Sequence, residues 1–203
     1  MKKIVIIFLF CLFGISINSH NQPMVDYSEI VFNEYRIIHI IPLGDVDVSM
    51  LNDIGATITK IYGYRCVVDR KIKPDPSILA KSKIKYDGNK ILCSFAGVGH
   101  NLVITNLPIV QIKNGVIEQD VWGLSFYPGY TSVVSTNGLD YGDNSLLTKR
   151  VIKVCLHEIG HNIGIGHCNN NQKCVMNDGD RGLKELDVEE FWLCDYCKRH
   201  LKK

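Results

Sequence analysis

One string, from His157 to His167, constrains this chain more than any other part of its sequence, and it reads HEIGHNIGIGH. Residues four apart on a helix share a face, so His157 and His161 can direct their imidazoles at one metal ion. Glu158 can reach a metal-bound water without being a ligand. Gly164 permits a sharp turn that brings His167 round as a third ligand. Three histidines and one open position predict a catalytic metal site at the end of a helix.

The N-terminus has the pattern of a signal peptide. Two lysines precede an unbroken apolar run from Ile4 to Phe13. Extended to Ile17, the run is still shorter than the roughly 20 residues of a membrane-spanning helix. We therefore predict a signal peptide over residues 1–19, with cleavage after Ser16 or Ser19, and export to the periplasm or the medium. Lipidation at Cys11 is disfavoured, because the residue before it is bulky.

Length and charge predict a single domain that does not bind nucleic acid. The 203 residues suffice for one ordinary domain. Once Lys2 and Lys3 leave with the signal peptide, 21 of the 23 basic residues remain against 21 acidic residues. A neutral chain lacks the electrostatic footprint of a nucleic-acid binder. We expect no nucleic-acid partner and no stable membrane insertion after cleavage. Oligomeric state is open, with a monomer expected.

Strand and helix patterns alternate along the chain, which predicts an α/β architecture. Runs rich in β-branched residues predict strands at 36–41, 64–68, 101–105, 121–127 and 131–135. Apolar periodicity predicts a helix that stops at Gly63 and a long helix from about Asn144 to Gly164. A third, short helix is predicted over 187–201, where Asp187 and Glu190 resemble a capping box.

Seven cysteines remain after removal of the signal peptide, and an odd number cannot all form intramolecular disulfides. Four of them cluster near the C-terminus, at Cys168, Cys174, Cys194 and Cys197. Their arrangement suits a tetrahedral thiolate site for one metal ion. Two local disulfides are the alternative, since export leads to an oxidising compartment. The other three cysteines are interpreted as buried apolar residues.

The chain resembles the archaemetzincins, a branch of the metzincin metallopeptidases. The resemblance rests on the histidine string, on Cys168 directly after it, on Cys174-Val175-Met176, and on Cys194 and Cys197 after 17 further residues. It implies that His157, His161 and His167 bind a catalytic zinc ion, with Glu158 as the catalytic acid and base. It also implies that Met176 forms a Met-turn and that Cys168, Cys174, Cys194 and Cys197 bind a second, structural zinc ion. Five residues rather than the usual four separate Cys168 from Cys174.

The resemblance implies a compact metzincin-like domain of the α/β class, with a twisted mixed sheet, an active-site helix and a small zinc-stapled C-terminal subdomain. Residues 20–164 would form the N-terminal α/β subdomain with the active-site helix. Residues 165–203 would form the C-terminal subdomain. The implied activity is zinc-dependent hydrolysis of peptide bonds, in which Glu158 activates a zinc-bound water. The alternative is an inactive secreted zinc-binding module, which the presence of Glu158 disfavours.

The substrate implied by the resemblance is a peptide or protein. In metzincins it lies antiparallel to an edge strand before the active-site helix, which by chain order is 121–127 here. Trp122 and Phe126 are therefore candidates to line a side-chain pocket. An oxyanion-assisting tyrosine could be Tyr127, Tyr130 or Tyr141. Endopeptidase and aminopeptidase action both stay open.

Overall fold

The computed structural model describes residues 36–97, 99–113, 116–141, 144–177 and 182–202. The predicted signal peptide lies outside these residues. Eight strands are described: β1 Ile37–Leu43, β2 Arg65–Val68, β3 Tyr86–Asp87, β4 His100–Thr105, β5 Ile109–Lys113, β6 Val116–Val121, β7 Gly123–Ser125 and β8 Thr131–Ser135. The α-helices are α1 Val48–Tyr62, α2 Gly88–Ser94, α3 Leu147–Asn162, α4 Leu183–Val188 and α5 Asp195–Lys198. None of the described helices combines the length and the apolar character needed to cross a membrane.

A five-stranded sheet in the order β2-β1-β4-β8-β7 forms the centre of the fold. Its first four strands are parallel, and β7 pairs antiparallel with β8 at one edge. A smaller sheet has the order β3-β5-β6. The sheets and helices confirm the predicted α/β class and mixed sheet.

The central strands of the large sheet, β1, β4 and β8, are buried on both faces, as expected for parallel strands. On one face, Ile38 and Ile40 pack with residues of α1 and α3. On the other face, Ile41 and Leu43 pack with residues of α2 and of the small sheet. Helix α1 ends at Gly63, whose φ of +75° confirms the predicted stop. Alternate residues of β1 face opposite sides of the sheet. Ile38 and Ile40 therefore hold α3 against one face.

Two predicted elements are wrong in part. The predicted strand 121–127 is divided, because Val121 ends β6 in the small sheet whereas Gly123–Ser125 forms β7 in the large one. The predicted helix over 187–201 begins earlier, at Leu183, so that Asp187 does not cap it, and it is interrupted between α4 and α5. In the interruption, the N–H of Glu190 donates to the Lys173 carbonyl at 2.9 Å, and the Trp192 carbonyl accepts from Val175 at 3.0 Å. These cross-chain hydrogen bonds replace helical ones.

Candidate active site and metal centres

Helix α3 carries two of the three predicted histidine ligands on adjacent turns of one face. The ligand atoms of His157, His161 and His167 all lie within 4.8 Å of one another. The Nε2 atoms of His161 and His167 are 3.2 Å apart. The structure therefore brings together the three imidazoles that the sequence singled out, and such a donor set suits zinc.

Backbone carbonyls orient two of these imidazoles. Nδ1 of His157 lies 2.9 Å from the Val175 carbonyl, and Nδ1 of His161 lies 2.9 Å from the Ile165 carbonyl. Because a carbonyl only accepts, each Nδ1 is the protonated nitrogen and each Nε2 keeps its lone pair for a metal. Neither carbonyl partner is marked by any sequence pattern.

The turn after α3 returns the chain to the site. Gly164 has a φ of +86°. Its N–H donates to the His161 carbonyl at 2.9 Å, and the Ile165 N–H donates to the Gly160 carbonyl at 2.9 Å. A glycine in the left-handed conformation permits this closure of the helix end. The closure brings His167 beside His157 and His161.

Glu158 is buried next to the histidines and faces the edge strand β7. Ser125 Oγ donates a hydrogen bond to Glu158 Oε2 at 2.5 Å. Burial raises the pKa of Glu158 to about 7, and the hydrogen bond from Ser125 opposes part of this rise. Burial and the neighbouring His161 lower the pKa of His157 to about 3, so that His157 is neutral near pH 7. The site thus combines neutral metal ligands with a carboxyl group that can exchange a proton near neutral pH.

A cavity of about 710 Å³ opens over the three histidines and Glu158. Trp122 and Tyr127 line it, whereas the side chain of Phe126, the other predicted pocket residue, is not part of its wall. The Tyr127 ring packs edge-on against His161 with centroids 5.6 Å apart. Tyr130 packs against His100 instead, and Tyr141 is 79% exposed. Among the three candidate tyrosines, the geometry favours Tyr127.

The four C-terminal cysteines form a second cluster. Their Sγ atoms lie within 4.8 Å of one another, and all four residues are buried. Sγ of Cys168 is 3.5 Å from that of Cys194, and Sγ of Cys174 is 3.8 Å from that of Cys197. A Zn–S bond of about 2.3 Å gives sulfur atoms about 3.8 Å apart in a tetrahedron. The donor set and spacing fit one zinc ion.

Three residues around the site are not predicted by the sequence patterns. Ser125 contacts Glu158, and Gly123 lies so close that a Cβ there would be 2.7 Å from Glu158 Cγ. Asn162 holds the turn after β7, since its Nδ2 donates to the Phe126 carbonyl at 2.9 Å and to the Thr131 carbonyl at 3.1 Å. Small polar residues on a short strand carry no sequence signal of this kind. For Asn162, its position directly after His161 is the one feature of the sequence that places it near the site.

Comparison with known proteins identifies relatives over most of the chain. The family model for peptidase family M54 matches residues 48–203. The archaemetzincin of Natronomonas pharaonis is 26% identical over 177 residues, which cover 81% of this chain and 98% of the relative. The archaemetzincin of Haloquadratum walsbyi is 29% identical over 177 residues, covering 81% of this chain and 99% of the relative.

A solved structure is similar over the same extent. The crystal structure of archaemetzincin from Archaeoglobus fulgidus superposes with a TM-score of 0.70 at 25% sequence identity. The match covers 81% of this chain and 99% of that structure. The fold and the sequence therefore lead to the same group of proteins.

Proposed function

Since the chain belongs to peptidase family M54 and is a zinc metallopeptidase, we propose that His157, His161 and His167 hold its catalytic zinc ion and that Glu158 is its general base. The family and the activity confirm what the resemblance implied. The observation that carries the residue roles is the convergence of three imidazoles and one buried carboxyl group on a single cavity. The comparisons give no support to the inactive zinc-binding module.

The chain's own residues divide the chemistry between them. Zinc, when bound by the three imidazoles, supplies a Lewis acid that polarises the scissile carbonyl. Glu158 takes a proton from the attacking water onto its carboxylate and returns it to the leaving amine. Burial raises the pKa of the Glu158 carboxyl above the ordinary glutamate value, which favours its taking up the proton. The carbonyls of Val175 and Ile165 hold His157 and His161 in the tautomer that coordinates.

The peptide substrate lies, in this proposal, antiparallel to β7 at the edge of the large sheet. Strand β7 has its partner β8 on one side, and the cavity extends along it past Gly123, Leu124 and Ser125. Trp122 and Tyr127 then border the bound peptide. Both endopeptidase and aminopeptidase action are compatible with this placement.

The proposal includes a second zinc ion bound by Cys168, Cys174, Cys194 and Cys197, giving two ions per chain. The spacing of the four sulfur atoms supports a single tetrahedral ion.

We further propose export through the signal peptide over residues 1–19. Mass spectrometry of the exported protein tests this, with a mature N-terminus at residue 17 or 20 as the expected result. An uncleaved chain would contradict export by this route.

Substitution of Glu158 tests the enzyme directly. Glu158→Gln should leave zinc bound, because Glu158 is not a ligand, and lower kcat on a peptide library by a factor of roughly 10² to 10⁴. Glu185→Gln is the matched control, since Glu185 is exposed on α4. Full activity of Glu158→Gln would refute the assigned role. An inactive wild-type protein with zinc bound would favour the binding module.

A further inference from the structure

We propose that Ser125 is a positioning residue for the general base, holding the Glu158 carboxylate in its working orientation from the edge strand β7. The proposal rests on the role assigned to Glu158 above. Ser125 Oγ donates to Glu158 Oε2 at 2.5 Å, and the contact joins residues 33 positions apart in the chain. Hydrogen bonds to a carboxylate are short and about twice as strong as neutral ones. Ser125 acts through Glu158 and is not itself a catalytic residue.

Strand β7 is shaped to receive this carboxyl group. Residues two apart on a strand face the same side, so Gly123 and Ser125 both face α3. A Cβ at position 123 would lie 2.7 Å from Glu158 Cγ and 2.8 Å from its Cδ. Gly123 therefore provides the space in which the carboxyl group lies, and Ser125 provides the donor that fixes its rotation.

The donor is itself held in place from both sides. Ser125 pairs with Ser132 in the antiparallel register of β7 and β8. The hydroxyl of Ser132 donates to Asn162 Oδ1 at 2.5 Å, and the Gly129 N–H donates to the Asn162 carbonyl at 3.0 Å. The last residue of α3 thus anchors the turn that follows β7. The distance between Ser125 and Glu158 is fixed by the same two elements that carry them.

Fixing the carboxylate matters because proton transfer depends on geometry. A free glutamate side chain samples several rotamers, and a base turned away from the attacking water does not assist it. The hydrogen bond to Oε2 leaves the other carboxylate oxygen to take the proton. Loss of the Ser125 hydroxyl should therefore slow turnover without removing zinc and without weakening substrate binding.

The kinetic test compares Ser125→Ala with Ser125→Thr, which keeps the hydroxyl. We expect Ser125→Ala to lower kcat about tenfold or more with KM within about twofold of wild type, and Ser125→Thr to restore kcat to within about threefold. Zinc content should be unchanged in both. Ser135→Ala is the matched control, because Ser135 Oγ donates to the Leu107 carbonyl at 2.6 Å, away from Glu158. Its kcat should equal that of wild type.

A second measurement does not depend on activity. In urea unfolding, Ser125→Ala should lower the midpoint in the wild-type background and have a smaller effect in a Glu158→Ala background, because the partner is already absent. Equal effects in both backgrounds would overturn the proposal, as would a wild-type kcat in Ser125→Ala or an impaired Ser125→Thr with bound zinc. An inactive wild-type protein would instead overturn the proposed function and leave this unfolding cycle decisive for Ser125.

Discussion

Met176 lies directly against Gly160, so closely that a Cβ at position 160 would be 2.9 Å from Met176 Cε. Met176 is fully buried, and Gly160 occupies the helix position just before His161. A glycine within a helix costs about 1 kcal/mol relative to alanine. Here the missing side chain lets the segment after the third histidine pack directly under the metal-binding turn of α3. The contact thereby fixes the position of the Met176 segment beneath the histidines.

Gly160→Ala should lower the free energy of unfolding by about 1–2 kcal/mol, because overpacking outweighs the gain in helix propensity. The added methyl group also approaches the Tyr62 hydroxyl oxygen, at 3.1 Å, which is held by a hydrogen bond to the Leu156 carbonyl. Urea unfolding measures the change. In a Met176→Ala background, where the space is open, the same substitution should be neutral or stabilising by up to about 1 kcal/mol. Additive effects would contradict the contact.

An ion pair between a buried arginine and a partly exposed aspartate links α4 to the active-site helix. Arg150 is almost fully buried and donates to both carboxylate oxygens of Asp187, at 2.8 Å each. We expect Asp187→Asn to lower the unfolding free energy by roughly 1.5–3 kcal/mol, because one charged acceptor of a buried guanidinium is lost. Asp45→Asn provides the contrast, since the Asp45–Lys71 pair is exposed. Thermal unfolding that shows no difference between the two variants would argue against a structural role for the Arg150–Asp187 pair.

His100 makes stability dependent on pH. It is buried between the rings of Tyr64 and Tyr130, each 5.0 Å away, and its Nδ1 has no hydrogen-bond partner among the described residues. Burial lowers the pKa of His100, so the unfolded chain takes up a proton near pH 6.5 while the folded chain does not. This contribution to stability is therefore complete above about pH 6.5 and is lost as the pH falls.

His100→Phe should reduce the loss of stability between pH 7 and pH 5 by at most about 1.4 kcal/mol per pH unit, the limit for one proton. Phenylalanine keeps the ring contacts and does not titrate. The other histidines are the same in the wild type and in the variant, so the difference between the two isolates His100. Urea midpoints at several pH values measure it. Parallel pH profiles of wild type and variant would show that His100 does not titrate in this way.

The sequence predicted the elements whose formation depends on local signals. The stop at Gly63 and the turn at Gly164 both need a left-handed backbone, and glycine marks such positions in the sequence. The spacing of His157 and His161 likewise follows from helix geometry alone. These parts of the fold and of the site are predictable because each depends on residues a few positions apart.

Long-range pairing accounts for what the sequence did not predict. The division of 121–127 between two sheets depends on which strands lie alongside: within this run, the residues that pair with β8 are Gly123–Ser125, whereas Val121 pairs with β5. The break after α4 arises because the backbone at 190–192 pairs with the segment around Val175. Ser125 contacts Glu158 across 33 positions, and no local pattern indicates such a contact. The domain division at residue 164 stays a prediction.

The two candidate metal sites share their supporting backbone. We expect loss of the cysteine site to weaken the histidine site, and loss of the histidine site to leave the cysteine site intact. Val175, whose carbonyl orients His157, lies between Cys174 and Met176. Cys168 follows His167 directly, and its N–H donates to the Met176 carbonyl at 2.6 Å. The cysteine cluster thus holds both the third histidine and the carbonyl partner of the first. The cysteines, by contrast, are held together by contacts among themselves, including the Cys194 N–H that donates to Cys174 Sγ at 3.3 Å.

Zinc content of single variants tests this dependence. Wild type should hold two ions, and His161→Ala one, because a closed four-thiolate site does not need the histidines. Cys197→Ser should hold less than one ion and lose activity, since the segment 167–176 loses its anchor and structural zinc supplies folding energy. Cys93→Ser is the matched control with two ions, because Cys93 lies on α2 outside both clusters and is exposed, so that its interpretation as a buried residue is wrong. Cys197→Ser with one ion and full activity would show that the histidine site stands alone, and His161→Ala without zinc would show that the dependence runs the other way.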